Sequence, residues 1–285
     1  MKLLTLNTHS RPEACEAAIE TLSAWMLSQN VDIVALQEVN QRAESAAAEQ
    51  SALSETGYRP PRGSEIALKQ DNYAFALAKA LCRGNGGYRW CCLPFKRGYD
   101  RYDEGLALFW RGEAEAMDII PLSDTQDETD WRRRMALGIR CGAHWFYSLH
   151  TSRYDDAKEP FLSQWRRLQT HLEGKSSVFL MGDFNCPADR SGEGYDRMIA
   201  DGWRDTFTIA QLTEGYRTVG SSIDGWRDVK TEFPQRMDFI LTNQKHLTVY
   251  RCETVFDGWR ENMISDHCGL FCWIWEESGY DRSNV

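Results

Sequence analysis

Asp183 and Asn185 stand two residues apart, just beyond the run Ser177-Val178-Phe179-Leu180. In an extended segment such positions point the same way, so a carboxylate and a carboxamide address one ligand from the lip of a buried strand. Three other segments place polar groups beside apolar runs in the same manner: Leu36-Gln37-Glu38-Val39, Ser148-Leu149-His150 and Ser265-Asp266-His267. Strand ends would then deliver Asp, Asn, Glu and His to one rim. Taken singly, each has a plainer use: Glu38 as a charge at a helix N-terminus, Asn7 as a turn or cap, Asp266 as a cap beside a structural histidine, His150 as a strand end. Together, Glu38 and Asn7 become oxygen ligands for a hard cation, and magnesium suits so sparse a set because it keeps several waters. Asp266 and His267 can divide labour, one leaning on a metal or its water while the other meets a phosphate oxygen. Asp238, between Met237 and Phe239, needs a partner if buried, and such an aspartate is suited to orient an imidazole and stabilise its protonated form.

The elements that must position these groups follow from periodicity. Residues 2–6 read as a strand ending at Asn7, Arg11-Pro12-Glu13 opens a helix to about residue 29, and residues 31–36 form a second buried strand, giving a β-α-β opening. Residues 71–81 carry helical spacing through Tyr73, Ala74, Leu77 and Leu81, and Gly84 to Gly87 stop it. Strands follow at 88–93, 105–110, 116–120, 135–141 and 144–149, and Gly142-Ala143 makes the last two an antiparallel hairpin. An amphipathic helix spans 160–172, before the strand that leads to Asp183. Strands at 236–241, 247–252 and 268–275 complete the inventory. Residues 41–57, 123–130 and 221–230 read as polar connections, and 276–285 as a solvated C-terminal tail. Two clusters of consecutive strands, separated by a helix-rich middle, predict an α/β (α+β) fold with two mixed sheets packed face to face and helices outside.

Bulk properties narrow the partners. A chain of 285 residues without a composition break predicts a single domain over residues 1–275. A formal charge of -9 and a pI near 5.3 disfavour holding long nucleic acid by electrostatics alone. Nine cysteines, an odd count without repeated short spacing, predict reduced and mostly buried thiols, neither a disulfide framework nor a zinc site. The amino terminus lacks the pattern of a secretion signal, and no stretch is apolar enough to span a membrane, so a soluble cytoplasmic protein is expected.

In order along the chain, Asn7, Leu36-Gln37-Glu38, Gly105-Leu106-Ala107-Leu108-Phe109, His150, Gly182-Asp183-Phe184-Asn185, Arg236-Met237-Asp238-Phe239 and Ser265-Asp266-His267 resemble the endonuclease/exonuclease/phosphatase (DNase I-like) superfamily. The resemblance runs from residue 5 to about residue 272. It implies a four-layer α/β/β/α sandwich and phosphoester hydrolysis with a divalent cation, normally magnesium, with manganese as the alternative. It also implies roles: Glu38 as main metal ligand with Asn7 and Asp266, Asp183 aligning or deprotonating the attacking water, and Asn185 donating to nonbridging oxygens. His150 and His267 would bind the phosphoryl group, with Asp238 fixing His267. Such a division fits in-line attack on phosphorus, which needs a positioned water and counter-charge more than a protein nucleophile. Which of Asp183 and His267 is the base stays open at this point.

Longer segments resemble a narrower bacterial group that includes maltose 6'-phosphate phosphatase: Leu4 to Ser10, Asp71-Asn72-Tyr73-Ala74, Gly98-Tyr99-Asp100 with Tyr102-Asp103-Glu104-Gly105, Gly192 to Asp196 and Ile223-Asp224-Gly225-Trp226. They imply a small sugar phosphate as substrate. Eleven Trp and eleven Tyr, several beside carboxylates, can furnish platforms and acceptors for sugar hydroxyls. Candidate substrate contacts are Lys69, Asn72, Tyr99, Glu104, Arg134 and Trp226, with Arg134 and Lys69 suited to phosphate. A nuclease or other phosphodiesterase is the alternative within the enzyme class, since basic patches at Lys96-Arg97 and Arg132 to Arg134 survive the acidic total. A noncatalytic binding protein is the alternative outside it. The substrate's leaving group and the oligomeric state stay open in the sequence.

Overall fold

Successive side chains of an extended strand point to opposite faces, and the first strands of this chain are apolar on both. In the computed structural model, which describes residues 1–220, 223 and 235–275, Leu3, Ile33 and Ala35 enter one core while Leu4, Val34 and Leu36 enter another. Strands buried on both faces must be covered on both. The elements, in chain order, are β1 (Lys2–Asn7), α1 (Glu16–Gln29), β2 (Ile33–Arg42), α2 (Gln50–Glu55), α3 (Tyr73–Arg83), β3 (Tyr88–Gly98), β4 (Tyr102–Arg111), β5 (Ala116–Pro121), β6 (Met135–Cys141), β7 (His144–His150), α4 (Phe161–Leu172), β8 (Val178–Asp183), α5 (Gly194–Ala200), β9 (Arg204–Asp205), α6 (Thr206–Ile209), β10 (Ala210–Glu214), β11 (Asp238–Thr242), β12 (Thr248–Val255) and β13 (Gly269–Trp275).

One sheet runs β10-β12-β13-β1-β2-β4-β3 and the other β5-β6-β7-β8-β11-β9. Both are mixed, with β1 parallel to β2 and β7 parallel to β8 among antiparallel neighbours. Between the sheets, Leu93, Leu106, Leu108 and Trp110 pack against Leu137, Phe146, Phe179, Met181 and Ile240. Leu22 and Met26 of α1 and Leu77 and Leu81 of α3 cover Leu4, Leu6, Trp90 and Phe109 on the outside of the first sheet. Trp165 and Leu168 of α4 cover Tyr147, Leu149, Leu180 and Phe239 on the outside of the second. At about 1.5–3 kcal/mol for each large side chain taken from water, these three apolar layers drive the stacking. The result is the expected α/β/β/α sandwich.

The strand clusters do not divide between the sheets in chain order. β12 and β13 return to the first sheet, with Leu3 opposite Cys272, and β11 crosses to the second, with Asp238 opposite Asp183. Apolar alternation says that a strand is buried; it does not name the neighbour. The stretch 41–57 holds α2, and the region between α4 and β11 holds α5, α6, β9 and β10, all too short to register as periodic. α1 starts later than expected because Arg11 to Ala14 form a turn closed by the Ala14 amide on the Arg11 carbonyl at 2.9 Å. All nine cysteines are unpaired, five of them buried. The expected tail at 276–285 and most of the connection 221–230 lie outside the described residues.

β7 and β8 touch most closely at Gly182, where an added Cβ would stand 1.9 Å from the Leu149 carbonyl oxygen. Backbone cannot yield as a side chain does. Gly182→Ala is expected to remove about 1–3 kcal/mol of stability in urea unfolding, the usual cost of overpacking. A midpoint equal to that of the unaltered protein would contradict this contact.

Candidate active site

Both sheets bring strand ends to the same edge. The carboxyl ends of the parallel pairs carry Asn7, His150 and Asp183, and the antiparallel β11 begins there with Asp238 opposite Asp183. Asp266 and His267 immediately precede β13. Glu38 arrives by an irregularity: the β2–β4 register shifts between Leu36 and Val39, and Glu38 takes φ +49. That left-handed conformation is costly for a residue with a side chain. Hydroxyls hold it, since Thr8 and Ser10 donate to the Glu38 carbonyl at 3.0 and 2.8 Å. A cleft of about 490 Å³ opens over this edge, lined by Glu38, His150, Asp183, Asn185, Asp266 and His267 among others.

At its floor two buried carboxylates face each other across β8 and β11. His267 stands between them, with Nδ1 at 2.9 and 3.2 Å from the Asp238 oxygens and Nε2 at 3.8 Å from Asp183. Burial alone would discharge the imidazole, but the Asp238 and Asp183 charges and the hydrogen bond to Asp238 outweigh it and raise the His267 pKa to about 10. Asp183 is pushed the other way for a carboxyl: burial and the neighbouring Asp238 raise it to about 7, against the opposing pull of His267. Asp183, Asp238 and His267 present ligand atoms within 4.8 Å of one another. A cation there would compete with the His267 proton, so the trio is better suited to holding that proton.

Asn185 continues the arrangement. It adopts φ +48, its amide donates to Asp183 Oδ1 at 2.9 Å, and Nδ2 donates to the Thr151 carbonyl and to His150 Nε2, each at 3.0 Å. His150 thus accepts at Nε2 and carries its proton on Nδ1. Burial, then the Arg134, Lys96 and His267 charges, hold its pKa well below the ordinary value, so it is neutral.

On the opposite side, Asn7 Nδ2 donates to Glu38 Oε1 at 3.0 Å and to Asp183 Oδ2 at 3.1 Å, tying the two sheets together. Its oxygen accepts the His9 amide at 3.1 Å. In this arrangement Asn7 bridges the two carboxylates through its side-chain nitrogen. His9 Nδ1 lies 3.2 Å from Glu38 and 3.8 Å from Asp266. The hydrogen bond to Glu38 raises the His9 pKa against its burial, with help from Asp266. Burial opposes ionisation of Glu38, yet the hydrogen bonds from His9 and Asn7 hold its carboxyl well below the usual range. The His9 imidazole thus sits between Glu38 and Asp266, where their charge and hard oxygens fit a divalent cation.

Of the expected substrate contacts, Tyr99, Glu104 and Arg134 line the cleft. Lys69 and Asn72 do not. Asn72 is buried as the N-cap of α3, accepting the Phe75 amide at 3.1 Å and donating to Gln41 at 3.0 Å, and the Lys69 amide donates to the same Gln41 oxygen at 3.0 Å. Both serve the packing of α3 against β2, a local cap that sequence similarity does not distinguish from a ligand contact. Trp226 lies outside the described residues. Sequence reasoning missed His9 and Trp131, and it read Lys96 only as part of a basic patch suited to nucleic acid. His9 was within reach, since it follows Asn7 at the same two-residue spacing that singled out Asp183 and Asn185.

Residues 4–267 match the family model for the endonuclease/exonuclease/phosphatase family. A solved structure of a member from Leptotrichia buccalis shares 25% identity at TM-score 0.80, covering 97% of this chain and 100% of that one. A mannosyl-6-phosphatase from Bacteroides thetaiotaomicron superposes at TM-score 0.63 with 16% identity, over 97% of this chain and 100% of that one. A 3' phosphatase from Neisseria, bound to a product DNA hairpin, does so at TM-score 0.61 with 15% identity over the same shares. No curated protein matches the chain. By matched length, fold and rim, this chain belongs to the endonuclease/exonuclease/phosphatase family, whose members hydrolyse phosphoesters and are generally divalent-metal dependent.

Proposed function

We propose that this protein is a metal-assisted phosphatase that releases phosphate from a small sugar phosphate. The observation that carries this reading is the position of Asp183, shared between the Asn7 bridge to Glu38 and two imidazoles, with His150 Nε2 at 3.6 Å and His267 Nε2 at 3.8 Å. A carboxyl raised to about 7 can take a proton near neutrality, whereas an imidazole raised to about 10 cannot. We therefore assign Asp183 as the base for the attacking water. His267, kept protonated by Asp238, donates to a phosphoryl oxygen, and Asn185 Nδ2 donates to another by exchanging its contact with His150 for the substrate. A divalent cation held by Glu38 and Asp266 would supply counter-charge to the phosphoryl oxygens; magnesium is favoured, with manganese as the alternative.

The leaving group is inferred from the mouth of the cleft. A volume of about 490 Å³ is that of a small-molecule site. Tyr99 is 56% and Trp131 49% exposed on its lining, beside the polar Asp100, Arg153 and Asp156. Exposed aromatic faces with carboxylates suit the apolar faces and hydroxyls of a sugar.

A panel of disaccharide and hexose phosphates, inositol phosphates and an abasic duplex, assayed with magnesium and with a chelator, is expected to show metal-dependent phosphate release from a sugar phosphate. Chelator-insensitive release, or activity confined to the duplex, sinks the reading. Asp183→Asn is expected to lower kcat about 10³-fold with the fold intact by circular dichroism, the scale of a lost general base. Near-normal rates would remove Asp183 from the mechanism. The His267 pKa is raised from 6.5 to about 10 on folding, so its stabilising contribution is full below pH 6.5 and is lost as pH rises through about 10. In Asp238→Asn, His267 observed by NMR is expected to titrate nearer 6.5 and this alkaline loss of stability to flatten. An unshifted titration would mean that Asp238 is not what holds the proton.

A further inference from the structure

The cleft has a second wall that the roles above leave unused. Arg134 is 5% and Lys96 4% exposed, and both line it. They converge on one acceptor, the Trp131 carbonyl, at 2.6 Å from Arg134 Nη1 and 3.2 Å from Lys96 Nζ. Lys96 also pairs with Glu104 at 2.8 Å. One carboxylate therefore serves two neighbouring cations. Arg134 forms no ion pair with any described carboxylate, and its Nε is buried without a hydrogen-bond partner. His150 Nδ1 is likewise buried and unpartnered, 3.9 Å from Glu104.

An uncompensated guanidinium in the interior is costly, and the cost is met when an anion docks against it. The position of that anion is constrained. Glu104 ties this wall to the reacting position, since it lies 2.8 Å from Lys96 and 3.9 Å from His150 Nδ1, and His150 Nε2 is 3.6 Å from Asp183. The missing charge belongs at the reacting phosphoryl group and not at the distal end of the substrate.

We propose that Arg134 and Lys96 receive the second negative charge of a phosphomonoester dianion and so select terminal phosphates over diesters. This rests on the phosphohydrolase reading of the same cleft and names the ester class. A monoester offers three unesterified oxygens, one of which can face this wall. A diester turned into the same pose presents an ester oxygen and its carbon substituent to buried cations, which leaves them short of charge. Glu104 keeps Lys96 aligned while an anion approaches, and Arg134 supplies the fork that matches phosphate oxygens.

The test compares the unaltered protein with Arg134→Gln and Arg134→Lys on p-nitrophenyl phosphate and bis(p-nitrophenyl) phosphate with magnesium. It adds calorimetric titration with inorganic phosphate and with dimethyl phosphate. Loss of a charge-assisted contact predicts a drop of about 10- to 100-fold in monoester kcat/KM. The monoester-to-diester ratio should fall about tenfold or more in Arg134→Gln, be partly restored in Arg134→Lys, and phosphate should bind about tenfold more weakly to Arg134→Gln. An unchanged ratio together with unchanged phosphate affinity overturns the proposal while leaving the phosphatase reading standing. If the unaltered protein hydrolyses neither ester, that reading falls; Arg134-dependent phosphate binding then still supports the site, and Arg134-independent binding overturns it. Should Arg134→Gln fail to fold by its melting curve, Lys96→Gln carries the same expected ratio change and the same power to overturn.

Discussion

Two buried carboxylates, Asp183 and Asp238, lie opposite each other on neighbouring strands. Like charges so placed repel, and low dielectric leaves that repulsion unscreened. The protonated His267 ring resolves it, with Nδ1 bonded to Asp238 and Nε2 3.8 Å from Asp183. Three ionisable groups share the site: the His267 imidazole held charged, the Asp238 carboxylate bonded to it, and the Asp183 carboxyl pushed toward neutral pH. Geometry and proton affinity are one fact here, because the register of β8 against β11 sets both.

The rest of the rim extends from that cluster across the gap between the sheets. Asn7 carries it to Glu38, and Asn185 carries it to His150. The sheets are locked behind the rim by a polar contact in an otherwise apolar interface, where Gln37 donates to Ser148 at 3.0 Å and Ser148 to the Leu36 carbonyl at 2.9 Å. Strain gathers at the same edge, since His9, Glu38, Tyr99, Asp100 and Asn185 all have positive φ. Backbone of this kind survives where surrounding bonds over-determine it, and it aims side chains where regular alternation would not.

Much of this was legible in order along the chain. Strand periodicity located β1, β6, β7, β8 and β13 closely, and polar residues at the ends of those runs proved to share one edge; β2 runs on to Arg42, well past its expected end at Leu36. Asn72 lies away from the cleft because it caps α3, a use that calls for the same residue type as a ligand contact, and the Lys69 amide is tied beside it to Gln41. His9, Trp131 and the place of Lys96 at the cleft were hidden for different reasons. His9 needs the turn after β1 to swing it between Glu38 and Asp266, and the cation pair becomes visible only once β3 and the segment before β6 share the Trp131 carbonyl.

The amino-acid sequence by itself determined the layers and the ordered polar set, because alternation of apolar side chains and residue type are local properties. Tertiary structure alone decided that β12 and β13 close onto β1, that β11 inserts beside β8, and that Asp238 therefore meets Asp183 and His267. It alone decided which of these groups holds a proton. Strand pairing and proton affinity both depend on what lies across space at a few ångströms, and that distance is set by residues far apart in the chain.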